Sequence, residues 1–337
     1  MWIEYTLHMR QSGESHDHSF GVIDHSRLVA VVPLIKETIY GRPDLFEFGF
    51  AGLNVPYPAL ANGLGVKHMD KIIKEIFCEI DRLAADHGIV YSAFELNPFI
   101  TLAERNSIQC NPLPFFGYNC TNIATHIIGL EQTEDNLFRS MRKGHKSDII
   151  AGTKNGLSAK IYDRNSISEK IFDHYRRIHL IAAGRQTRGD KTWELMYKFI
   201  KEESSVLAIL EHKDSGPIAA AFITVYKDAA CYGSGCVKPT LASERGVMHI
   251  IIWETMKFLK SRGIRWFETG WQHTPTMTQV VPTQKEMNIS LFKRGFGGMN
   301  VPLYRGEKFY SYEYMQDAIK DRLLQFKTEW MTAEHTT

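Results

Sequence analysis

Arg262-Gly263-Ile264-Arg265-Trp266-Phe267-Glu268 closes one element and opens another, and the chain contains the same phrase earlier, from His87-Gly88-Ile89 to Phe94-Glu95. Before the later copy, Val247, Ile250, Ile251, Met256 and Leu259 recur at helical spacing; before the earlier one, Ile72, Ile73, Ile76, Phe77, Ile80 and Leu83 do. Glycine in each case supplies the left-handed position that ends a helix, and an apolar, β-branched or aromatic run follows as a strand. A weak internal duplication is the simplest account of helix, Gly-Ile exit and Phe-Glu strand occurring twice in 337 residues. Glycine exits are common, so the repeat needs support from the elements around it.

Those elements are legible. Gly21 to Ile39 reads as a β-hairpin, with Asp24-His25-Ser26-Arg27 as its turn and Val29-Ala30-Val31-Val32 as a strand. Thr133 to Met141 reads as a helix capped by Thr133, interrupted at Arg142-Lys143-Gly144-His145-Lys146. Leu157 to Tyr162 is a strand, Ser168 to Ile181 and Thr192 to Glu202 are helices, and Ser205–Leu210, Ile218–Tyr226 and Ala229–Cys236 are successive antiparallel strands. The second half therefore runs strand, helix, helix, three strands, helix, strand, helix, strand.

Composition bounds the function. A hydrophobic content of 44%, a charged content of 23% and a net charge of +2 describe a globular chain with no general attraction to nucleic acid, so any anion site must be local. Met1-Trp2-Ile3-Glu4-Tyr5 lacks a secretory pattern, and no apolar run approaches the roughly 18 residues of a membrane span; the expectation is a cytoplasmic protein without membrane insertion. Five cysteines, Cys78, Cys110, Cys120, Cys231 and Cys236, make no Cys-x-x-Cys pair and read as reduced, mostly buried thiols. His16-Asp17-His18 lies in a polar turn without a third ligand, and no metal site is expected.

Several short strings, taken in order, carry a resemblance: Met141-Arg142-Lys143-Gly144-His145-Lys146-Ser147-Asp148-Ile149, Ala182-Ala183-Gly184-Arg185-Gln186-Thr187-Arg188, Thr192-Trp193, His249 with Trp253-Glu254, Phe267-Glu268-Thr269-Gly270-Trp271, and Phe292-Lys293-Arg294-Gly295-Phe296-Gly297. From about Asn136 to Gly306 the chain resembles the Fem-type, double-domain branch of the Gcn5-related N-acetyltransferase superfamily, which includes peptidoglycan bridge ligases and acyl-CoA-using relatives that modify amino sugars. The resemblance implies an α/β (α+β) fold of two tandem acetyltransferase-like domains, each a mixed, mostly antiparallel sheet flanked by helices. Residues 1–135 would be a degenerate first copy, 136–310 the second, and 311–337 a terminal helix packing back on the first. No long helical arm or strongly basic surface, as in many tRNA-dependent bridge ligases, is evident.

The implied activity is transfer of an acetyl or short acyl group from acetyl-CoA to the amine of a nucleotide-linked amino sugar for surface polysaccharide. Direct attack in a ternary complex is expected, since no cysteine or serine stands in a nucleophile setting. The alternatives are a Fem-type aminoacyl-tRNA-dependent transferase acting on a peptidoglycan precursor, and a non-catalytic sugar-nucleotide binding protein. DNA is not an expected partner, and tRNA is one only under the first alternative. Lys293 would stabilise an anion or oxyanion, Glu268 would orient the amine, and His145 or His249 would serve as base. Cys236, Val237, Ser243, Arg245, Gly246 and Val247 would hold the cosubstrate at a strand edge and a helix start. Arg142, Lys143 and Lys146 form one expected phosphate clamp and Arg185 with Arg188 a second, while Thr187, Trp193, Trp271 and Phe292 would line the acceptor.

Overall fold

A computed structural model describes residues 1–9, 14–102, 110–241, 244–274 and 281–328. The chain begins α1 (Trp2–Met9), β1 (Ser15–Asp17), β2 (Phe20–Asp24), β3 (Arg27–Val32), β4 (Ile35–Ile39), β5 (Arg42–Gly49), β6 (Val55–Pro56), β7 (Ala59–Leu60), α2 (Val66–Asp86), β8 (Ile89–Glu95) and β9 (Asn119–Cys120). It continues β10 (Ile123–Gly129), α3 (Glu134–Ser140), α4 (Lys143–Lys154), β11 (Leu157–Tyr162), α5 (Glu169–Ala183), α6 (Asp190–Lys201), β12 (Ser205–His212), β13 (Gly216–Tyr226), β14 (Ala229–Val237), α7 (Val247–Ser261) and β15 (Trp266–Gln272). It closes with α8 (Gln284–Arg294), β16 (Met299–Leu303), β17 (Arg305–Phe309) and α9 (Tyr312–Phe326). Two compact units result: Met1–Ala124, His273–Lys285 and Pro302–Thr337 form unit 1, and Thr125–Gln272 with Glu286–Val301 form unit 2. Each is an α/β unit built on a mixed sheet.

In unit 2 the strand order is β11-β12-β13-β14-β15-β10-β16. From β11 to β14 the pairs are antiparallel; β14 then meets β15 in parallel, because α7 carries the chain between them. Ile218 to Ile223 of β13 are all buried, as a strand must be when helices cover both faces, and α5 and α7 both pack against it. The core joins Leu210, Ala219, Ala221, Ile251, Met256, Phe267 and Phe296. Thr133 caps α3 and Ser168 caps α5 through their side-chain oxygens, as their residue types favour.

Unit 1 repeats the strand-helix-strand phrase. β5, α2 and β8 stand in the order of β14, α7 and β15, and β5 pairs in parallel with β8 at Phe46↔Ile89 and Phe48↔Ser92. Further along, β6 takes the next places on β8, at Val55↔Phe94 and Pro56↔Glu95, and the Tyr57 amide donates to the Glu95 carbonyl at 2.9 Å. The space beyond the last β5 pair is thus filled by unit 1's own chain. The amphipathic stripe of α2 buries Ile72, Ile73, Ile76, Phe77 and Ile80 against Phe94 and Tyr118, and α9 packs on β17 in the same unit.

Three sequence expectations change. The break expected over Arg142 to Lys146 is confined to Met141 and Arg142, the C-cap of α3 and the N-cap of α4, and the following cations form the first turn of α4. Cys78, Cys110 and Cys120 are exposed, with only Cys236 fully buried. His16 lies in β1 rather than a turn and approaches Glu14 at 3.5 Å, while His18 packs against His87 at 4.1 Å between ring centres. Among the described residues no group of three metal-ligating side chains occurs, and no helix is long and apolar enough to cross a membrane.

Candidate functional site

The parallel pairing of β14 with β15 lasts three residues, Ala229↔Trp266 to Cys231↔Glu268, although β14 continues to Val237. The cause lies on the other side of β14. Its register with β13 shifts between Phe222↔Ser234 and Ile223↔Tyr232, leaving Gly233 as an extra residue. A bulge of this kind bends its strand and raises the local twist. The two strands therefore part, and the edge of β14 beyond Cys231 has no strand partner among the described residues on the side of β15.

Lys293, in the last turn of α8, stands over β15. A Cβ added to Gly270 would lie 2.7 Å from its Nζ, so the absence of a side chain there makes room for the ammonium. Lys293 is half-buried, and burial pushes its pKa down while the nearby Glu268 carboxylate opposes that shift. Among the described residues it has no hydrogen-bond partner. Glu268 accepts a hydrogen bond from the Thr125 hydroxyl on β10 at 2.5 Å, which fixes the carboxylate beside the opening. Arg294, the adjacent residue, faces solvent.

Next to this pair is a cluster of rings that includes both histidines expected as bases. His145 on α4 donates through Nε2 to the Phe292 carbonyl at 2.8 Å and packs against His249 at 4.5 Å and Phe296 at 4.6 Å. Gly295 leaves space for the His145 ring, and the Arg142 amide donates to the Gly295 carbonyl at 2.9 Å, so α4 holds the end of α8. Phe292 packs on His145 and His249. Burial, with His145 as the next cause, pushes His249 down to about 4. The unfolded chain takes up a proton near pH 6.5 that folded His249 refuses until about pH 4, so this residue costs stability as pH falls through that window. The loss should reach on the order of 3 kcal/mol. His249→Gln should flatten the fall of Tm between pH 6.5 and 4.5; an unchanged slope would assign the acid sensitivity elsewhere.

The expected cosubstrate residues meet α4. Arg245 donates to Asp148 at 2.6 and 2.8 Å and to Ser147 at 3.1 Å, and His249 approaches Asp148 at 3.7 Å. Gly246, the N-cap of α7 at φ 90°, lies with its α-carbon against the Asp148 carbonyl and Gly152, and a Cβ on Gly152 would come within 2.6 Å of the Arg245 carbonyl. Two bare glycines thus allow two helices to touch at backbone level. Gly246 and Val247 are buried under α4. Gly246→Ala, which adds a clash to an unfavourable φ, should cost about 2–4 kcal/mol in denaturant unfolding; an unaltered midpoint would mean that α4 is free to move away. Cys236 and Val237 pair with Ala220 and Ala219 of β13. Ser243 lies outside the described residues.

A second cation is deeper. Arg188, in the loop from α5 to α6, is 8% exposed and donates from a terminal nitrogen to His179 Nε2. Its guanidinium lies 5.2 Å from the Trp193 ring, its buried Nε has no partner, and no carboxylate pairs with it among the described residues. Burial, then Arg188, pushes His179 down to about 4, so the neighbouring ring is neutral at physiological pH. Thr187 contacts the same histidine at 3.4 Å. Trp193 is buried among Phe172, Tyr175 and His179 as a wall behind the guanidinium. Tyr175 reaches Ser234, on the stretch of β14 that no longer pairs with β15, at 2.6 Å.

The expected residues thus sort into groups. Lys293 and Glu268 come together at the strand opening; His145, His249 and Phe292 pack together; Arg245, Gly246 and Val247 meet α4; Arg188, Thr187 and Trp193 gather around His179 in one buried cluster. Arg185 is exposed and does not join Arg188, and Trp271 is half-buried on β15. Arg142, Lys143 and Lys146 lie on α4, where Lys146 donates to the Arg139 carbonyl at 3.1 Å. Thr125, Asp148, Tyr175, His179 and Ser234 were not anticipated. Asp148 falls inside the quoted α4 string, whereas the others carry no local signal, because their roles come from elements distant in sequence.

Solved structures share the fold over most of the chain. FemX superposes with a TM-score of 0.60 at 10% identity, covering 89% of this chain and 90% of that one. The fold is Fem-like. The C-terminal domain of a putative lysylphosphatidylglycerol synthetase from Agrobacterium fabrum gives 0.59 at 14% identity over 96% and 95% of the two chains. The structure of L-PGS from Bacillus licheniformis gives 0.58 at 12% over 91% and 88%. At such identities the likeness is one of fold: two tandem acetyltransferase-like units. No protein-family model matches the chain, and no curated protein is similar to it in sequence.

Proposed function

We propose that this protein is an acyltransferase, in which unit 2 joins an activated acyl group to an amine. The observation that carries the reading is the parting of β14 from β15 beside the ammonium of Lys293, which makes no side-chain hydrogen bond among the described residues. An acyl donor would pair with the free β14 edge, the amine would attack its carbonyl carbon, and Lys293 would neutralise the oxyanion. As the tetrahedral adduct collapses, the C–N bond stays, the donor's ester or thioester bond breaks, and the amine proton leaves to solvent or to the departing group. Glu268, fixed by Thr125, would hold the acceptor's ammonium in place until it loses a proton to solvent and attacks as the neutral amine. Transfer is direct. Burial pushes the Cys236 thiol up to about 12 and holds the Cys231 thiol well above its usual range, so neither supplies a thiolate.

Two donors suit this chemistry. Acetyl-CoA, with a nucleotide-linked amino sugar as acceptor, would place a diphosphate at the start of α7. There α4 covers Gly246 and Val247, and Arg245 is engaged by Asp148. This favours an aminoacyl ester carried on tRNA, with the amine of a peptidoglycan precursor or a similar envelope building block as acceptor. The name of one protein of similar fold, a putative lysylphosphatidylglycerol synthetase, describes a lysyl product and points the same way. Arg188 would bind an anionic group of the acceptor.

The test supplies acetyl-CoA or aminoacyl-tRNA in parallel to a panel of nucleotide-linked amino sugars and peptidoglycan precursors, following thiol release and labelled amino-acid transfer. Amide formation from charged tRNA is the expected outcome. Turnover with acetyl-CoA alone would reassign the donor, and acceptor binding without turnover from either donor would leave a binding protein.

A further inference from the structure

The outer face of α4 is unusual for the start of a helix. Its first turn contains no acid but has Lys143 and Lys146, with Arg142 at the cap, so cations stand at the positive end of the helix dipole. Each such placement costs about 0.3–1 kcal/mol. Lys143, Lys146, Ser147, Ile150, Ala151 and Lys154 form an open, shallow surface patch. These residues recur at helical spacing, so they share one face, while Asp148, the acid of this helix, is engaged by Arg245. The three lysines form no ion pair among the described residues. From Lys143 to Lys154 the face runs about 16 Å, which matches roughly five nucleotides of one strand at about 3.4 Å each.

The position matters as much as the charge. Through Gly152, Asp148 and Gly246, α4 touches the start of α7, which follows the free end of β14; through His145 it touches the end of α8, which carries Lys293. A donor with its reactive end at the strand opening would have its body within reach of this helix. We infer that the Lys143-Lys146-Lys154 face of α4 docks the sugar-phosphate backbone of the donor's RNA. This rests on the aminoacyl-tRNA reading. Charge complementarity selects a polyanion, and the apolar content selects RNA over a membrane: Ile150, 47% exposed, and Ala151 offer too little apolar surface for insertion into lipid.

The experiment measures fluorescence anisotropy of a labelled RNA minihelix ending in CCA, across a salt series, with wild type and K143A/K146A/K154A. The variant should bind about 10–100-fold more weakly near 0.1 M salt, and its slope of log K against log salt should fall by about 2–3, because each lost phosphate contact removes roughly 0.7–0.9. K198A/K201A on α6 should bind as wild type, and circular dichroism should be the same for all. Equal affinity and slope for wild type and the α4 variant would overturn the inference, as would wild-type binding to anionic phosphatidylglycerol vesicles without binding to the RNA. RNA-dependent transfer with an unchanged KM for the donor in the α4 variant would also sink the docking face while sparing the donor reading. Acetyl-CoA turnover combined with the expected anisotropy result would reject the donor and keep the face.

Discussion

Lys293→Met should lower kcat by about 10²–10³-fold, the range found when one oxyanion donor is removed, without a fall in Tm. Its ammonium is half-buried, lacks a hydrogen-bond partner among the described residues and is held over Gly270, where it contributes little to the fold. Burial lowers its pKa, so the folded state carries this charge at a cost below the folded pKa, and methionine, with a similar stem, relieves that cost. Lys293→Arg should recover part of the rate, since a guanidinium is a donor but does not fit the space above Gly270. Stopped-flow or single-turnover kinetics separate this effect from donor binding. A variant with normal kcat and weakened donor KM would make Lys293 a binding residue; a variant with lowered Tm and rate together would make it structural.

Arg188→Met should raise the KM for the acceptor by about 100-fold or more, as expected when one partner of a buried charged pair is removed, and should also stabilise the free protein. The second half decides the matter. A buried guanidinium with a neutral histidine as its hydrogen-bond partner and an unsatisfied Nε costs several kcal/mol of desolvation that no carboxylate offsets. Exchange for an apolar side chain should raise Tm at roughly 2–4 °C per kcal/mol. A site that loses affinity and gains stability is set up for a ligand. If Tm falls and KM holds, Arg188 is a packing element, and the acceptor's anion must be sought elsewhere.

Much of the fold could be read because its elements announce themselves locally. The α2 and α7 stripes, the Gly88 and Gly263 exits and the caps Thr133 and Ser168 each lie within one turn of the structure they specify. The start of α4 could not be read this way, because its cations oppose the helix dipole and a sequence rule reads them as an interruption. The site was legible where a motif was contiguous, as with Lys293 and Glu268. It was not where chemistry depends on long-range placement: Thr125 reaches Glu268 across 143 positions of sequence, and nothing near Gly246 indicates that its open side faces α4 rather than a ligand. Arg185 and Arg188 look equivalent in the string, and only the loop's path buries one and exposes the other.

The consecutive strands Met299–Leu303 and Arg305–Phe309 belong to two different sheets: the first ends the order β15-β10-β16, and the second is inserted between β8 and β9. Neither half of the molecule can then be excised as a contiguous segment. A stop codon at residue 299 would remove a strand from each sheet at once, exposing Phe94 and Glu95 on one and the edge of β10 on the other, so nonsense changes near the end should abolish soluble expression as surely as changes near the beginning. The same property restricts domain shuffling, since the two units interleave in sequence and recombine only together.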